Sequence, residues 1–153
     1  MALDTQGILD RLASHAMTLG VFDRVNTHEP KTAPGRWITC AIWVERIDPV
    51  AGLSGLASST GRITFNVRLY TNMLQQPQDL IDPNLVRAAD ELIRAYSGDF
   101  TLGGTVMNVD LRGMGGGQGL YVQGGYLNQN ERIYRCMTLW LPVLVEDLWD
   151  EAA

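Results

Sequence analysis

Between Arg62 and Leu69 the chain alternates without a break, Arg62, Thr64, Asn66 and Arg68 against Ile63, Phe65, Val67 and Leu69. Successive side chains of a strand point to opposite faces. The segment therefore predicts a strand over 61–70 in a sheet with one oily face and one polar face. An oily face demands a covering layer. A helix predicted from Asp82-Pro83 to Gly98 supplies one, because Leu85, Ala88, Ala89, Leu92, Ile93 and Tyr96 recur at helical spacing. Asp82 stands at the cap, Pro83 at the first helical position, and Gly98 ends the run.

The remaining segments extend this frame. Residues 5–19 read as a second amphipathic helix through Ile8, Leu12, Ala16 and Leu19, with Asp4 or Thr5 as cap and Gly20 as terminator. Val21 to Val25 is a short extended piece. Trp37 to Ile47 is rich in β-branched and aromatic residues and predicts a strand, stopped at Asp48-Pro49 because proline donates nothing to a ladder. That strand and 61–70 form a long-armed antiparallel hairpin around Asp48–Thr60. A third strand is expected over 105–111. A closing hairpin of 120–127 and 131–145 turns at Asn128-Gln129-Asn130, with Pro142 marking an edge, a bulge or a bend. The end, Glu146 to Glu151, reads as an acidic docking tail or a frayed terminus carrying Trp149. The order predicts a single α+β domain, two helices packed on a mainly antiparallel sheet.

Composition narrows the function classes. At 46% hydrophobic and 19% charged residues, the 153-residue chain is ordinary globular material. A net charge of −5, with twelve scattered Lys and Arg, disfavours general affinity for nucleic acid phosphates. No stretch approaches membrane-spanning length. The start lacks a signal-peptide pattern, which predicts a soluble product of the cytoplasm. Cys40 and Cys136 lie in predicted apolar strands and read as buried free thiols.

The glycine loop Gly113-Met114-Gly115-Gly116-Gly117-Gln118-Gly119 is the strongest candidate for chemistry. A dinucleotide fingerprint needs a helix opening after the glycines, and a strand is predicted there instead. Nor does a Lys-Ser or Lys-Thr pair follow, as a phosphate loop requires. The loop reads better as a tip that orders against a partner. His15 borders the first helix's apolar face, and His28-Glu29 has no nucleophile nearby. The two histidines and two cysteines lack zinc-site spacing. No catalytic, cofactor-binding or metal-binding set emerges. Apolar residues on long loops point to assembly contacts instead: Leu53 and Leu56 in Asp48–Thr60, Met73 and Leu74 before Gln75-Gln76-Pro77, and Met114 in the glycine loop.

A family resemblance then enters on a series of segments in order. They are Val25-Asn26-Thr27-His28-Glu29-Pro30-Lys31, Ala41-Ile42-Trp43-Val44 with Ile47-Asp48-Pro49-Val50, and Ser54-Gly55-Leu56-Ala57. Arg62 to Tyr70, Gln76-Pro77-Gln78-Asp79, Ile81-Asp82-Pro83, Gly124-Gly125-Tyr126, Tyr134-Arg135-Cys136-Met137 and Leu141-Pro142-Val143 follow. Together they resemble the tail terminator proteins of long-tailed phages, especially those infecting actinobacteria. The resemblance implies a ring-forming α+β subunit of the virion tail. Six copies cap the tail tube, end its polymerisation and offer a docking surface to a head-completion or neck protein. It implies no catalysis and no cofactor, and DNA passes through the lumen unread. Arg62 and Arg68 on the polar sheet face are then expected to meet an acidic surface of the adjacent subunit. Two alternatives stay open: a head–tail adaptor or neck protein, and a small nucleotide-binding module or enzyme using Gly113–Gly119.

Overall fold

The computed structural model describes residues 3–31, 34, 37–50, 58–72, 81–113, 118–129 and 131–150, with the backbone alone at 58, 72 and 147–150. The elements in chain order are α1 (Thr5–Leu19), β1 (Arg24–Asn26), β2 (Thr39–Pro49), β3 (Ser58–Asn72), α2 (Ile81–Gly98), β4 (Asn108–Val109), β5 (Tyr121–Gln129) and β6 (Arg132–Asp150). They form one six-stranded sheet in the order β1-β2-β3-β6-β4, with β5 also paired to β6. Among the described strands only the β1–β2 pair is parallel. The fold is α+β, as expected.

The alternation in β3 decides which face carries the helices. Ile63, Phe65, Val67 and Leu69 are fully buried, as are Cys40 and Ile42 of β2 and Leu139, Leu141 and Val143 of β6. Leu12 and Ala16 of α1 and Leu85, Leu92 and Tyr96 of α2 close the same core. Each such leucine contributes about 1.5–3 kcal/mol by leaving water. The Tyr96 hydroxyl donates to the Leu12 carbonyl at 3.1 Å, tying the helices together inside the core. Asp4 caps α1 by accepting from the Gly7 amide at 3.0 Å, and Gly20 ends it with φ +70.

Several local expectations need correction. Asp82 lies in the first turn of α2, which begins at Ile81. Its carboxylate accepts from Arg135 Nε at 2.8 Å rather than capping the helix. β2 runs through Pro49, which pairs with Gly61 and so sits at the strand's last position. The strand expected over 105–111 shrinks to Asn108–Val109, because Leu102, Gly103 and Gly104 take positive φ and turn the chain just before it. Over Glu146–Asp150 the backbone of the acidic end is a paired strand and not a free tail. β6 continues to Asp150, pairing Trp149 with Ser59 and Asp150 with Ser58.

Pro142 is accommodated in the middle of β6. Its carbonyl accepts from the Asp110 amide, so its nitrogen, which lies on the same side of the strand, also faces away from β3. On that side the first residue of β5, Tyr121, stands opposite Trp140 and the last of β4, Val109, opposite Val143. The missing donor thus falls in the gap between two partial edge strands, and the β3 ladder loses nothing. Cys40 is paired with Leu69 on the core face and Cys136 with Tyr70 on the opposite face. The sheet separates them, and both are free thiols. Burial pushes both thiols up.

Candidate assembly surface

The sheet face away from the helices is only partly polar. Ala41, Tyr70 and Cys136 form a second, smaller buried cluster there, with Trp43 and Leu127 against it. Arg68 spans this cluster, its guanidinium 5.2 Å from the Trp43 ring centroid and its Nε donating to Thr138 at 3.0 Å. Asn66 is buried and donates to Glu45 at 2.8 Å, while its Oδ1 has no partner.

Arg62, expected to reach a neighbouring subunit, is committed within its own. It is 8% exposed, and its Nη2 lies 3.3 Å from Oδ2 of Asp110, a residue 1% exposed. The same nitrogen donates to the Gln118 carbonyl. The two contacts tie β3 to Asp110 before the glycine loop and to Gln118 near its end. The strand pattern showed that Arg62 leaves the core but not that another segment covers it. Arg62, whose buried Nε has no partner, is among the residues lining a groove of ≈ 580 Å3 on this face. Its walls are Glu45, Arg46 and Asp48 on one side and a stacked Tyr121–Trp140 pair, centroids 4.6 Å apart, on the other.

The glycine loop closes on a narrow neck. The Leu120 amide donates to the Leu111 carbonyl, and a Cβ on Gly119 would stand 2.5 Å from that carbonyl oxygen. Glycine at 119 lets two backbones touch. β5 opens after the loop where a dinucleotide site would need a helix.

His15 belongs to a polar staple at the far end of the helices. Its Nε2 donates to Asp99 Oδ2 at 2.7 Å, Arg11 Nε donates to the same oxygen at 2.7 Å, and the Gly103 amide donates to Oδ1. The His15 hydrogen bond, helped by Arg11 and Gly103, holds the Asp99 carboxyl at about 2, against an ordinary 3.8. Asp99 follows the C-terminus of α2, where the helix dipole opposes a negative charge. The two bases of α1 offset that opposition. The cluster explains His15 structurally.

Among the described residues the open parts are the sheet edges. β5 pairs with β6 on one side and with nothing described on the other. Its nine residues include no charge and no proline, although native edge strands usually carry such protection. Beside it on the helix face stand Tyr126, 65% exposed, and Ile133, 55% exposed. At the opposite edge β1 is likewise unpaired on its outer side among the described residues. An open depression of ≈ 610 Å3 lies there between α1 and β1, lined by Ala13, Met17, Val25 and Thr27 among others. Neither edge was singled out from the sequence. The uncharged run Tyr121–Gln129 was the available signal, and it gains meaning only once β5 is known to be outermost. Of the expected interface residues, Arg68 is half-buried on the outer face and Arg62 is internal. Leu53, Leu56, Met73, Leu74 and Met114 lie outside the described residues.

Among the described residues no cluster of histidine, cysteine or acid side chains could hold a metal, and no helix is long and apolar enough to cross a membrane. No protein-family model and no curated protein matches the chain. Among solved structures it is similar to the sheath/tube terminator, in the extended state, of an extracellular contractile injection system (PVC). The identity is 10% and the TM-score 0.47, and the match covers all of this chain but 62% of that one. A likeness at this level carries no functional inference.

Proposed function

We propose that the chain is a structural subunit that ends tail-tube growth. Copies close into a hexameric ring on the tube end, stop polymerisation and present the opposite surface to a head-completion or neck protein. The subunit performs no catalysis and takes no cofactor. It is made in the host cytoplasm and remains at the tail–neck junction of the virion. The observation that supports this most is the sheet with two unlike open edges, each beside exposed apolar side chains. Unlike complementary surfaces generate rings when the rotation closes. The ordered sequence resemblance to tail terminators supplies the tail context. Surface ion pairs would add only about 0–1 kcal/mol each, so apolar burial provides most of the affinity. Six copies at −5 each carry −30, which keeps DNA from adhering in transit. Tight, salt-sensitive DNA binding by the assembled ring would contradict this.

The test is electron microscopy of tails assembled without this protein. Overlong tubes lacking heads support the proposal. Tubes of normal length already joined to filled capsids overturn it, as would binding to the portal side instead of tube ends. Calorimetry with common nucleotides provides a second check, where saturable heat would favour a nucleotide-binding module. Replacing the loop leucines together, Leu53→Asp with Leu56→Asp, abolishes capping if those loops make the contacts. Intact capping would remove them from the interface.

A further inference from the structure

We infer that copies join edge to edge, β5 of one subunit lying antiparallel against β1 of the next, so that their sheets become continuous. This rests on the self-assembly part of the proposed function and specifies its surface. Three features of the sheet argue for a second copy as the occupant of each edge.

The first is direction. β1 is parallel to β2, and each later step across β3, β6 and β5 reverses the chain. β5 therefore runs opposite to β1, and a neighbour added in the same orientation meets it antiparallel. The second is register. Residues Arg24, Thr39, Tyr70, Cys136 and Gly125 form one row across the sheet, and Asn26, Ala41, Arg68, Thr138 and Gln123 form another. The short β1 thus stands level with the middle of β5. Continuing the rows sets Gly125 against Arg24, Gly124 against Val25 and Gln123 against Asn26 of the neighbour. Gly124 and Val25 then both fall on the helix face, so the pleat continues without a flip.

The third is shape. On the helix face at the β5 edge, Tyr126 and Ile133 project with most of their surface exposed. On the same face at the β1 edge lies the depression between α1 and β1, with Met17 61% exposed at its rim. On the rows above, Tyr126 comes level with Asp23 of the neighbour, two positions from Val25 at the wall of this depression, whose lining is part apolar (Ala13, Met17, Val25) and part polar (Asp10, Ser14, Thr18). Among the described residues the side chain of Tyr126 stands over Arg135 of its own subunit, 5.0 Å from guanidinium carbon to ring centroid, and its other face is left to the neighbour.

Cysteine cross-linking tests the pairing. Within one subunit, positions 26 and 123 end a five-strand row, about 19 Å apart at ~4.8 Å per strand. That is far beyond disulfide reach, so any bond between them joins two molecules. Mixing Asn26→Cys and Gln123→Cys chains under oxidation is expected to give heterodimers, and the double variant a ladder ending in a closed species. The wild-type chain, with both cysteines buried, gives neither. Adding Tyr126→Ser and Ile133→Ser to the double variant should slow the ladder at least tenfold while the unfolding temperature is unchanged. Cross-linking of Gln123→Cys chains to themselves as fast as to Asn26→Cys would mean like edges pair, and overturns the inference. Absence of any 26–123 bond, or a ladder indifferent to the serine pair, overturns it too. If the bond fails while tails are still capped, only the edge pairing falls. If the ladder forms but tails lacking the protein keep normal length, the terminator function falls instead.

Discussion

Replacing Arg62 with methionine should cost about 3–5 kcal/mol of stability. The magnitude follows from where the pair sits. Arg62 Nη2 and Asp110 Oδ2 are 3.3 Å apart, with side-chain exposures of 10% and 1%. At an effective dielectric near 20 the attraction is about 5 kcal/mol, and desolvation of two ions offsets much of it. Arg62→Met removes the attraction but leaves the carboxylate in place, along with a Gln118 carbonyl that has lost its charged donor. The net effect is therefore larger than the worth of the intact pair. A loss of this size approaches a third or more of a typical domain's stability and lowers the melting temperature by about 10 °C. Urea unfolding monitored by tryptophan fluorescence measures it. The double variant Arg62→Met/Asp110→Leu should recover to within about 1 kcal/mol of the parent, because it removes both charges. A cost below about 1 kcal/mol for Arg62→Met alone would refute the reasoning. If that stable variant also failed to cap tails, Arg62 would belong to the intersubunit surface after all.

Three further outcomes are expected. Asp99→Asn should destabilise the fold by about 1–2 kcal/mol near neutral pH, the exposed Arg11 side limiting the effect. Because the folded carboxyl is held at about 2 against 3.8, this contribution is present above about pH 4 and is lost as pH falls toward 2. Acid titration of parent and variant should therefore converge over that window. Gly119→Ala should cost about 1–3 kcal/mol, since its Cβ meets the Leu111 carbonyl and the Arg112 and Gly113 backbone, none of which can rotate away. Equal melting temperatures would show that the loop neck is free to open. Glu131→Gly should stabilise by up to about 1 kcal/mol, because Glu131 sits at φ +66 in the tight β5–β6 turn and a left-handed residue with a Cβ is strained. Thermal unfolding decides, and a fall in stability would place the strain elsewhere.

The sequence alone determined the two helices, the long strands and the core because these are written in short-range period. Alternation in Ile63–Leu69, helical spacing in Leu85–Tyr96 and the Asp4 and Gly20 caps depend on neighbours a few residues apart, and each appears in the structure as expected. The antiparallel pairing of β2 with β3 and of β5 with β6 was legible for the same reason: each pair is adjacent in the chain. What tertiary structure decided was everything that joins distant segments. Arg62 and Asp110 are 48 positions apart, so a strand pattern could place Arg62 off the core without revealing the carboxylate that covers it. Glu146–Asp150 reads as a solvated acidic end until β3 is found to extend back to Ser58 and pair with it. The open edges are a property of strand order, and no local pattern encodes which strand will be outermost. A surface formed by β5, β1 and α1 is therefore present in the residues but visible only once the sheet is assembled.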